Sequence, residues 1–343
     1  MVLTLGVTPA AEPAARKSTA TKATPTRAVS AKKTPPRGTV STKSRTSSAS
    51  RRRAIARSRS AARSREAREL AKPLFKVDET GQEVPAPRAA AAIIYDPETN
   101  QVLFEENAQQ LRSIASITKV MTALVFLESL PDLSESVTVE RGDVIRASTT
   151  YLRAGNSVTG DDLLHLLLIG SDNAAARVIA RVSAYGTEGF IERMNEKARE
   201  LGLEMTHYED TSGLLSANVS SAYDMARLIA YAAADERIGA IMRKSGYTMS
   251  AGRRKLQVNS TNRLVRTGEL EVLGGKTGFI SSSGYCLATL VRLPQTGRQV
   301  AVVVLGARSN AGRFAETKHL YNWLSQHMTT VTAADAAQQN QQQ

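Results

Sequence analysis

Eight consecutive residues, Val120 to Leu127, carry only one polar side chain, Thr122, and so form a helix-length stretch that is apolar on every side. A helix of that kind has to be wrapped by other elements, so the chain must build at least two layers around it. Just ahead of it lie Ser113, Ser116 and Thr118, the small hydroxyl residues that start helices. Ser116 and Lys119 are three apart and share one helix face. A hydroxyl in the positive field at the start of a buried helix, beside an amine able to act as its base, is the pairing that acyl transfer needs. The spacing alone decides little, because Ser30 and Lys33 repeat it in a stretch that cannot fold.

That stretch is residues 1–72, which hold 18 Lys and Arg against 3 Asp and Glu. The whole chain nets +13, so the remainder is slightly acidic and the basic character belongs to this segment. Between Arg16 and Ala67 the only large aliphatics are Val29, Val40 and Ile55, so residues 1–72 are expected to be a disordered, solvated tail. Its arginine run from Arg51 to Arg68 has the charge to contact anionic polymers, with no aromatic interleaved for stacking on bases. Met1 to Ala11, apolar and rich in small residues, reads as the remnant of a secretory signal. One cysteine excludes an internal disulfide, and four scattered histidines give no zinc spacing, so neither metal nor cofactor is expected. Cys286 reads as a small core residue, and His165, His207, His319 and His327 as structural or surface groups. No apolar run approaches the ~20 residues that span a bilayer, so no integral membrane segment is expected.

Residues 73–88, with Pro73, Pro85 and Pro87, read as a linker. Ala89–Tyr95 and Gln101–Glu105 then read as two strands around a turn at 96–100. Past the apolar helix, the Leu-rich run 161–169 ends at Gly170, Ser171-Asp172-Asn173 follows, and 174–183 resumes as a helix. Further helices are expected at 190–201 and 222–234. Strands follow around 274–279, 284–293 and 298–307, then a helix through Phe314 to Leu324. The order predicts an α+β fold: one antiparallel sheet built from both ends of the folded part, flanked by helices, with a helical subdomain inserted. Residues 329–343 are expected to be a disordered Gln-rich tail.

Taken singly, Ser116 reads as a helix cap, Lys119 as a solvated charge and Lys276-Thr277-Gly278 as a turn. Together, Ser116-x-x-Lys119, Ser171-x-Asn173 and Lys276-Thr277-Gly278 occur in an order that makes the set specific. With Ile93 to Asp96, Asp210 to Leu214 and Gly284 to Leu287, they make residues 89–328 resemble the serine D-Ala-D-Ala peptidases of the penicillin-binding protein group, the low-molecular-mass carboxypeptidases and endopeptidases. The resemblance implies a β-lactamase/transpeptidase-like fold, peptidoglycan peptides as substrate and β-lactams as covalent inhibitors. It implies Ser116 as nucleophile, Lys119 as base held neutral by burial and by Lys276, and Ser171 as proton relay to the leaving amine. Asn173, Lys276, Thr277, Gly278 and Phe279 would bind substrate, with the amides of Ser116 and Phe279 as oxyanion donors. Gly275 and Gly278 would leave room for a peptide along their strand.

Among rival readings, a class A β-lactamase needs a deacylating glutamate, and the loop 207–218 offers only Glu209 outside the expected pattern. A polyanion-binding protein would rest on the tail alone. Within the family, the short polar end after the closing helix leaves no room for the second domain and amphipathic anchor of membrane-bound carboxypeptidases. An endopeptidase that cuts cross-links, acting in the periplasm or otherwise outside the cytoplasm, is therefore expected, ahead of a carboxypeptidase. Because residues 1–72 have no apolar groups to dock on a domain, deleting them should leave turnover of a small soluble peptide unchanged; a large loss in a steady-state assay would make the segment part of the fold.

Overall fold

The computed structural model describes residues 50–58, 60–61, 69, 72–252 and 254–341, the stretch 328–341 by its backbone alone. The chain divides into two compact units, Met1–Arg57 and Ser58–Gln343. Within the first, residues 50–57 are helical with exposed side chains. Disorder was the expectation there, but arginine and alanine are good helix formers and need no core to adopt the conformation. Apart from residues 58, 60, 61, 69 and 72, the rest of the basic segment lies outside the described residues.

The second unit is organised by a five-stranded antiparallel sheet, in the order Val272–Ile280, Gly284–Arg292, Gln299–Ala307, Ala91–Asp96, Gln101–Glu106. Early and late segments pair directly, Val303 lying opposite Ile93 and Ala301 opposite Tyr95. Successive strand residues point to opposite faces. Ala91, Ile93 and Tyr95 with Ala301, Val303 and Leu305 join the core of the helical insert. Ala92 and Ile94 with Val300, Val302 and Val304 pack under Phe314, Leu320 and Leu324 of the closing helix, Asn310–Gln341. Covered on both faces, these strands are apolar without alternation, which is why 300–305 looks continuous in the sequence.

The apolar helix is Lys119–Glu128, and every residue from Lys119 to Leu127 is buried. Helices Gly160–Leu168, Asn173–Val182, Gly186–Glu200 and Ala222–Ala234 pack around it. This is the inserted helical subdomain expected from the pattern. It also holds a hairpin, Gly246–Ala251 with Arg254–Asn259, which the sequence reading passed over.

Two expected boundaries are corrected. Residues 73–88 are not a linker: Phe75–Val77 pairs with Glu83–Pro85, and this hairpin sits on the closing helix. Trp323 Nε1 donates to the Glu83 carbonyl, the Phe75 and His319 rings meet edge-on at 4.9 Å, and Val84 packs on the second core. Of the prolines that read as linker, Pro85 and Pro87 sit in and just past an edge strand, where no amide donor is needed, and Pro73 precedes the hairpin. At the other end, the closing helix continues to Gln341 through the expected tail 329–343, whose alanines favour helix. Removal of residues 1–88 should therefore lower the unfolding free energy by roughly 2 kcal/mol relative to removal of 1–72, from lost apolar burial. Identical urea midpoints for the two truncations would return 73–88 to the status of a linker.

Candidate active site

Ser116 lies in a tight 3-10 turn, Ala115–Thr118, that runs straight into the buried helix. Lys119, the first residue of that helix, has no exposed surface. Its Nζ is 3.0 Å from Ser116 Oγ, 2.6 Å from Asn173 Oδ1 and also bonded to the Ser212 carbonyl. The Asn173 amide is oriented by its Nδ2, which donates to the Ala147 carbonyl at 2.7 Å. Both Oδ1 and the Ser212 oxygen can only accept. A neutral amine has two N–H groups and one lone pair, so those acceptors take both N–H groups and the lone pair is left facing the Ser116 hydroxyl. Burial lowers the Lys119 pKa to about 7, against the pull of Asp210 and Asp172 and with a smaller push from Arg177.

Ser171 and Asn173 flank Asp172 in the break between helices Gly160–Leu168 and Asn173–Val182. Ser171 adopts a left-handed φ of 57°, uncommon without glycine. Asp172 holds the turn: Oδ1 caps the second helix at Ala175 N, and Oδ2 accepts from Tyr151 N at 2.6 Å and Thr150 Oγ1 at 3.0 Å. Buried as it is, this carboxyl is pushed up from its ordinary value. The sequence reading gave Asp172 no task; its place directly before a helical run was the available signal for a cap.

A second missed group is the loop 209–218. Asp210 accepts from Gly213 N, Leu214 N and Ser212 Oγ, and buried Asn218 joins Asp210 to Thr118 Oγ1. Thr122 Oγ1 donates to the Thr211 carbonyl at 2.6 Å. The loop thereby carries the Ser212 carbonyl to Lys119. Gly213 has a φ of 78°, and a Cβ there would come 2.0 Å from the Ala115 carbonyl oxygen. Glu209, by contrast, is exposed, pairs with His207, and takes no part in lining the cleft.

Lys276, Thr277, Gly278 and Phe279 lie on the sheet's edge strand. Lys276 Nζ is 2.7 Å from Ser171 Oγ and 3.0 Å from the Thr277 carbonyl, and Thr277 Oγ1 meets Thr261 Oγ1 at 2.7 Å. Burial, then the charges of Lys119 and Arg313, push Lys276 well below the ordinary lysine range. Burial and Lys276 were both expected to depress Lys119; burial accounts for it, and the like-charge repulsion falls on Lys276 instead. The glycines also serve another purpose than expected. A Cβ on Gly278 would meet the Ile114 carbonyl at 2.7 Å and Ser116 N at 3.2 Å, and one on Gly275 would meet Asn262 Nδ2 at 2.7 Å. Their bare sides admit the protein's own nucleophile turn and loop.

Ser116, Ser171, Asn173, Thr277, Gly278 and Phe279 line one cleft of about 420 Å³, with Lys119 and Lys276 buried behind the two serines. Phe279 is half-exposed and stacks on Tyr285 at 4.2 Å. Arg313 of the closing helix also lines the cleft, donating to the Gly278 and Cys286 carbonyls; burial lowers its pKa to about 10. Nothing in a helical run marks that arginine from sequence. A larger cavity of about 510 Å³, between Tyr95, Arg227 and Tyr231, contains none of these groups, and its rim mixes carboxylates with a guanidinium, so it selects no ligand charge.

A family model described as D-alanyl-D-alanine carboxypeptidase matches residues 78–309. The chain is similar to the D-alanyl-D-alanine endopeptidase of Haemophilus influenzae, with 35% identity over 232 residues, covering 67% of this chain and 80% of that protein. It is also similar to a D-alanyl-D-alanine carboxypeptidase of Bacillus subtilis, 31% identical over 255 residues, covering 71% of this chain and 64% of that one. Among solved structures, the Streptomyces K15 DD-transpeptidase superposes with a TM-score of 0.65 at 26% identity, covering 70% of this chain and 97% of that chain.

The charge state of Lys119 fixes a pH dependence. Only the unprotonated amine accepts the Ser116 proton, so acylation by a penicillin should rise about tenfold per pH unit below about 7 and level off above it. Rates from a fluorescent penicillin read this directly, and a profile still climbing past pH 9 would mean that Lys119 keeps an ordinary lysine pKa.

Proposed function

Since the chain belongs to the D-alanyl-D-alanine carboxypeptidase family of serine peptidases, we propose that it is an endopeptidase that hydrolyses D-alanyl cross-links of peptidoglycan through an acyl-enzyme on Ser116. The observation that carries this reading is the triply held amine of Lys119, whose one open valence meets the Ser116 hydroxyl.

Ser116 Oγ attacks the D-alanyl carbonyl while its proton passes to Lys119 Nζ. The carbonyl oxygen becomes an oxyanion, held by the amides of Ser116 and Phe279. Collapse breaks the C–N bond, and the leaving amine takes the proton that Lys119 accepted, passed on through Ser171 Oγ, which Lys276 keeps within 2.7 Å, so that Lys119 is left neutral again. Water then attacks the ester, and the amine that received the first proton serves again as base. Asn173 keeps a second Nδ2 hydrogen for the substrate amide, beyond the one given to Ala147. Thr277 and Arg313, which line the cleft, supply hydroxyl and positive charge for the substrate's carboxylate. β-Lactams present the same acyl group and trap Ser116 as a stable ester. Glu209 faces solvent and is not poised over the ester to speed its release.

Cross-link cleavage is preferred to trimming because the relative named endopeptidase is 35% identical and the one named carboxypeptidase 31%. The carboxypeptidase reading remains the second choice, since the acyl half-reaction is common to both and only the leaving amine differs. The substrate lies outside the inner membrane, which supports an extracytoplasmic enzyme. No helix among the described residues is long and apolar enough to cross a membrane. The basic segment is assigned to anionic wall polymers on its charge alone.

The deciding experiment digests purified cross-linked muropeptide dimers and pentapeptide monomers in parallel. Dimers should fall to monomers, and Ser116→Ala should abolish both this cleavage and the penicilloyl adduct seen by intact mass. Free D-alanine from monomers with dimers untouched would leave a carboxypeptidase, and rapid turnover of the penicillin would leave a β-lactamase.

A further inference from the structure

The Lys119 amine has two fixed acceptors, and one of them is supplied by a loop. Asn173 Oδ1 comes from the helix that follows the Ser171 turn, whereas the Ser212 carbonyl comes from residues 209–218, which have no regular structure of their own. Something must hold that carbonyl in place, because a loop without a hydrogen-bonded ladder has many conformations open to it.

The hydrogen bonds show what does. Asn218 is fully buried and uses its whole amide. Oδ1 accepts from Glu209 N at 2.7 Å and Asp210 N at 3.0 Å. Nδ2 reaches the Asp210 carbonyl at 2.9 Å, Asp210 Oδ1 at 2.8 Å and Thr118 Oγ1 at 3.0 Å. Asp210 in turn gathers Gly213 N at 2.7 Å, Leu214 N at 3.2 Å and Ser212 Oγ at 2.7 Å. One turn along the buried helix, Thr122 Oγ1 donates to the Thr211 carbonyl at 2.6 Å. Thr118 and Thr122 are four apart and so present their hydroxyls on one face. Thr122 is the polar exception among residues 120–127 and is spent on this loop, while Thr118, at the end of the nucleophile turn, accepts from Asn218 and donates to the Ala115 carbonyl at 2.8 Å.

We propose that Asn218 and Asp210 are positioning residues for the base: through Thr118 and Thr122 they clamp residues 209–214 to the nucleophile's helix, so that the Ser212 carbonyl holds one N–H of Lys119 and its lone pair stays turned to Ser116. With that carbonyl withdrawn, only Asn173 would fix the amine, and rotation about Cε–Nζ would bring an N–H to Ser116 as readily as the lone pair. The clamp also settles the charges around the amine. Facing Lys119 are Asp210 from this loop, Asp172 and Arg177 from the turn and helix at 172–182, and Lys276 from the edge strand. Asp210 is the foremost of the carboxylates that favour its protonated form, so the group that orients the base also tunes it.

The proposal rests on Ser116 as nucleophile, and its test separates the two. Thr118→Val with Thr122→Val removes hydroxyls, Thr122→Val alone serves as the control that leaves the Thr118 bond to the Ala115 carbonyl in place, and Asn218→Ala and Asp210→Asn probe the hub itself. For each, benzylpenicillin acylation is followed against drug concentration and pH, with thermal unfolding alongside. The saturating acylation rate of the threonine pair and of Asn218→Ala should fall ten- to a hundredfold, about the cost of a misplaced reacting group, with the dissociation constant of the prior complex unchanged. In Asp210→Asn the acid limb should move below its wild-type midpoint. A folded threonine-pair variant that acylates at the wild-type saturating rate would overturn the clamp, as would losses confined to melting temperature or drug binding with rate and midpoint retained. Failure of the wild-type protein to take any penicilloyl group would instead sink the nucleophile assignment.

Discussion

Everything in the folded unit answers to one requirement, that an uncharged lysine amine be kept dry beside a serine hydroxyl. Desolvation does this where a neighbouring cation could not. A surface lysine near Lys276 would be screened and would keep its proton, whereas Lys119 has no exposed surface and loses the hydration that stabilises its ammonium form. The apolar ring of the 119–128 helix and the helices packed on it are the means of excluding water. The two carbonyl-type acceptors then convert exclusion into direction. Burial without them would leave an amine of suitable basicity that points nowhere in particular.

The nucleophile turn is crowded from two sides by backbone. Gly213 approaches the Ala115 carbonyl and Gly278 approaches Ile114 and Ser116 N, at distances no side chain would permit. A loop of the helical insert and the edge strand of the sheet thus close on the same three residues, 114–116. This contact makes the site a property of how the insert docks on the sheet. Arg313 reinforces it from behind, since its bonds to the Gly278 and Cys286 carbonyls tie the closing helix to the strand that walls the cleft.

Much of this was legible in the sequence, for reasons that can be stated. The buried helix announces itself by its lack of a polar face, the central strands by continuous valines, and the Ser171 turn by its position between two periodic runs. The three motifs locate Ser116, Lys119, Ser171, Asn173 and Lys276 because those groups are close to one another along short local segments. What escaped notice has no local signature. Asn218 acts through a loop without period, and Arg313 sits in a helix that also buries Glu316 and Thr317, so nothing in the run singles it out. The hairpin 246–259 was a readable case left unread: Tyr247, Met249 and Ala251 alternate, Gly252 turns, and Leu256 and Val258 alternate again. The glycines of the edge strand were singled out without their packing role, since a sequence records that a side chain is missing and not what fills its place.

Keeping the base neutral also costs the fold something. In the unfolded chain Lys119 binds its proton up to its ordinary value of 10.5, whereas in the folded protein it gives it up near 7. Between those limits the unfolded state holds more protons, so the stability contributed through this group rises with pH, and the full penalty is felt at and below about 7. Lys276, depressed by burial and by Lys119 itself, adds to the penalty in the same direction. Two amines buried within one site, with no carboxylate hydrogen-bonded to either, are not what selection for stability alone would leave in a core. The compensation lies in the surrounding packing, in cores on both sheet faces and a nucleophile helix without an exposed residue from 119 to 127. The site is therefore strained electrostatically and rigid sterically, which is the combination a preorganised acyl-transfer centre requires.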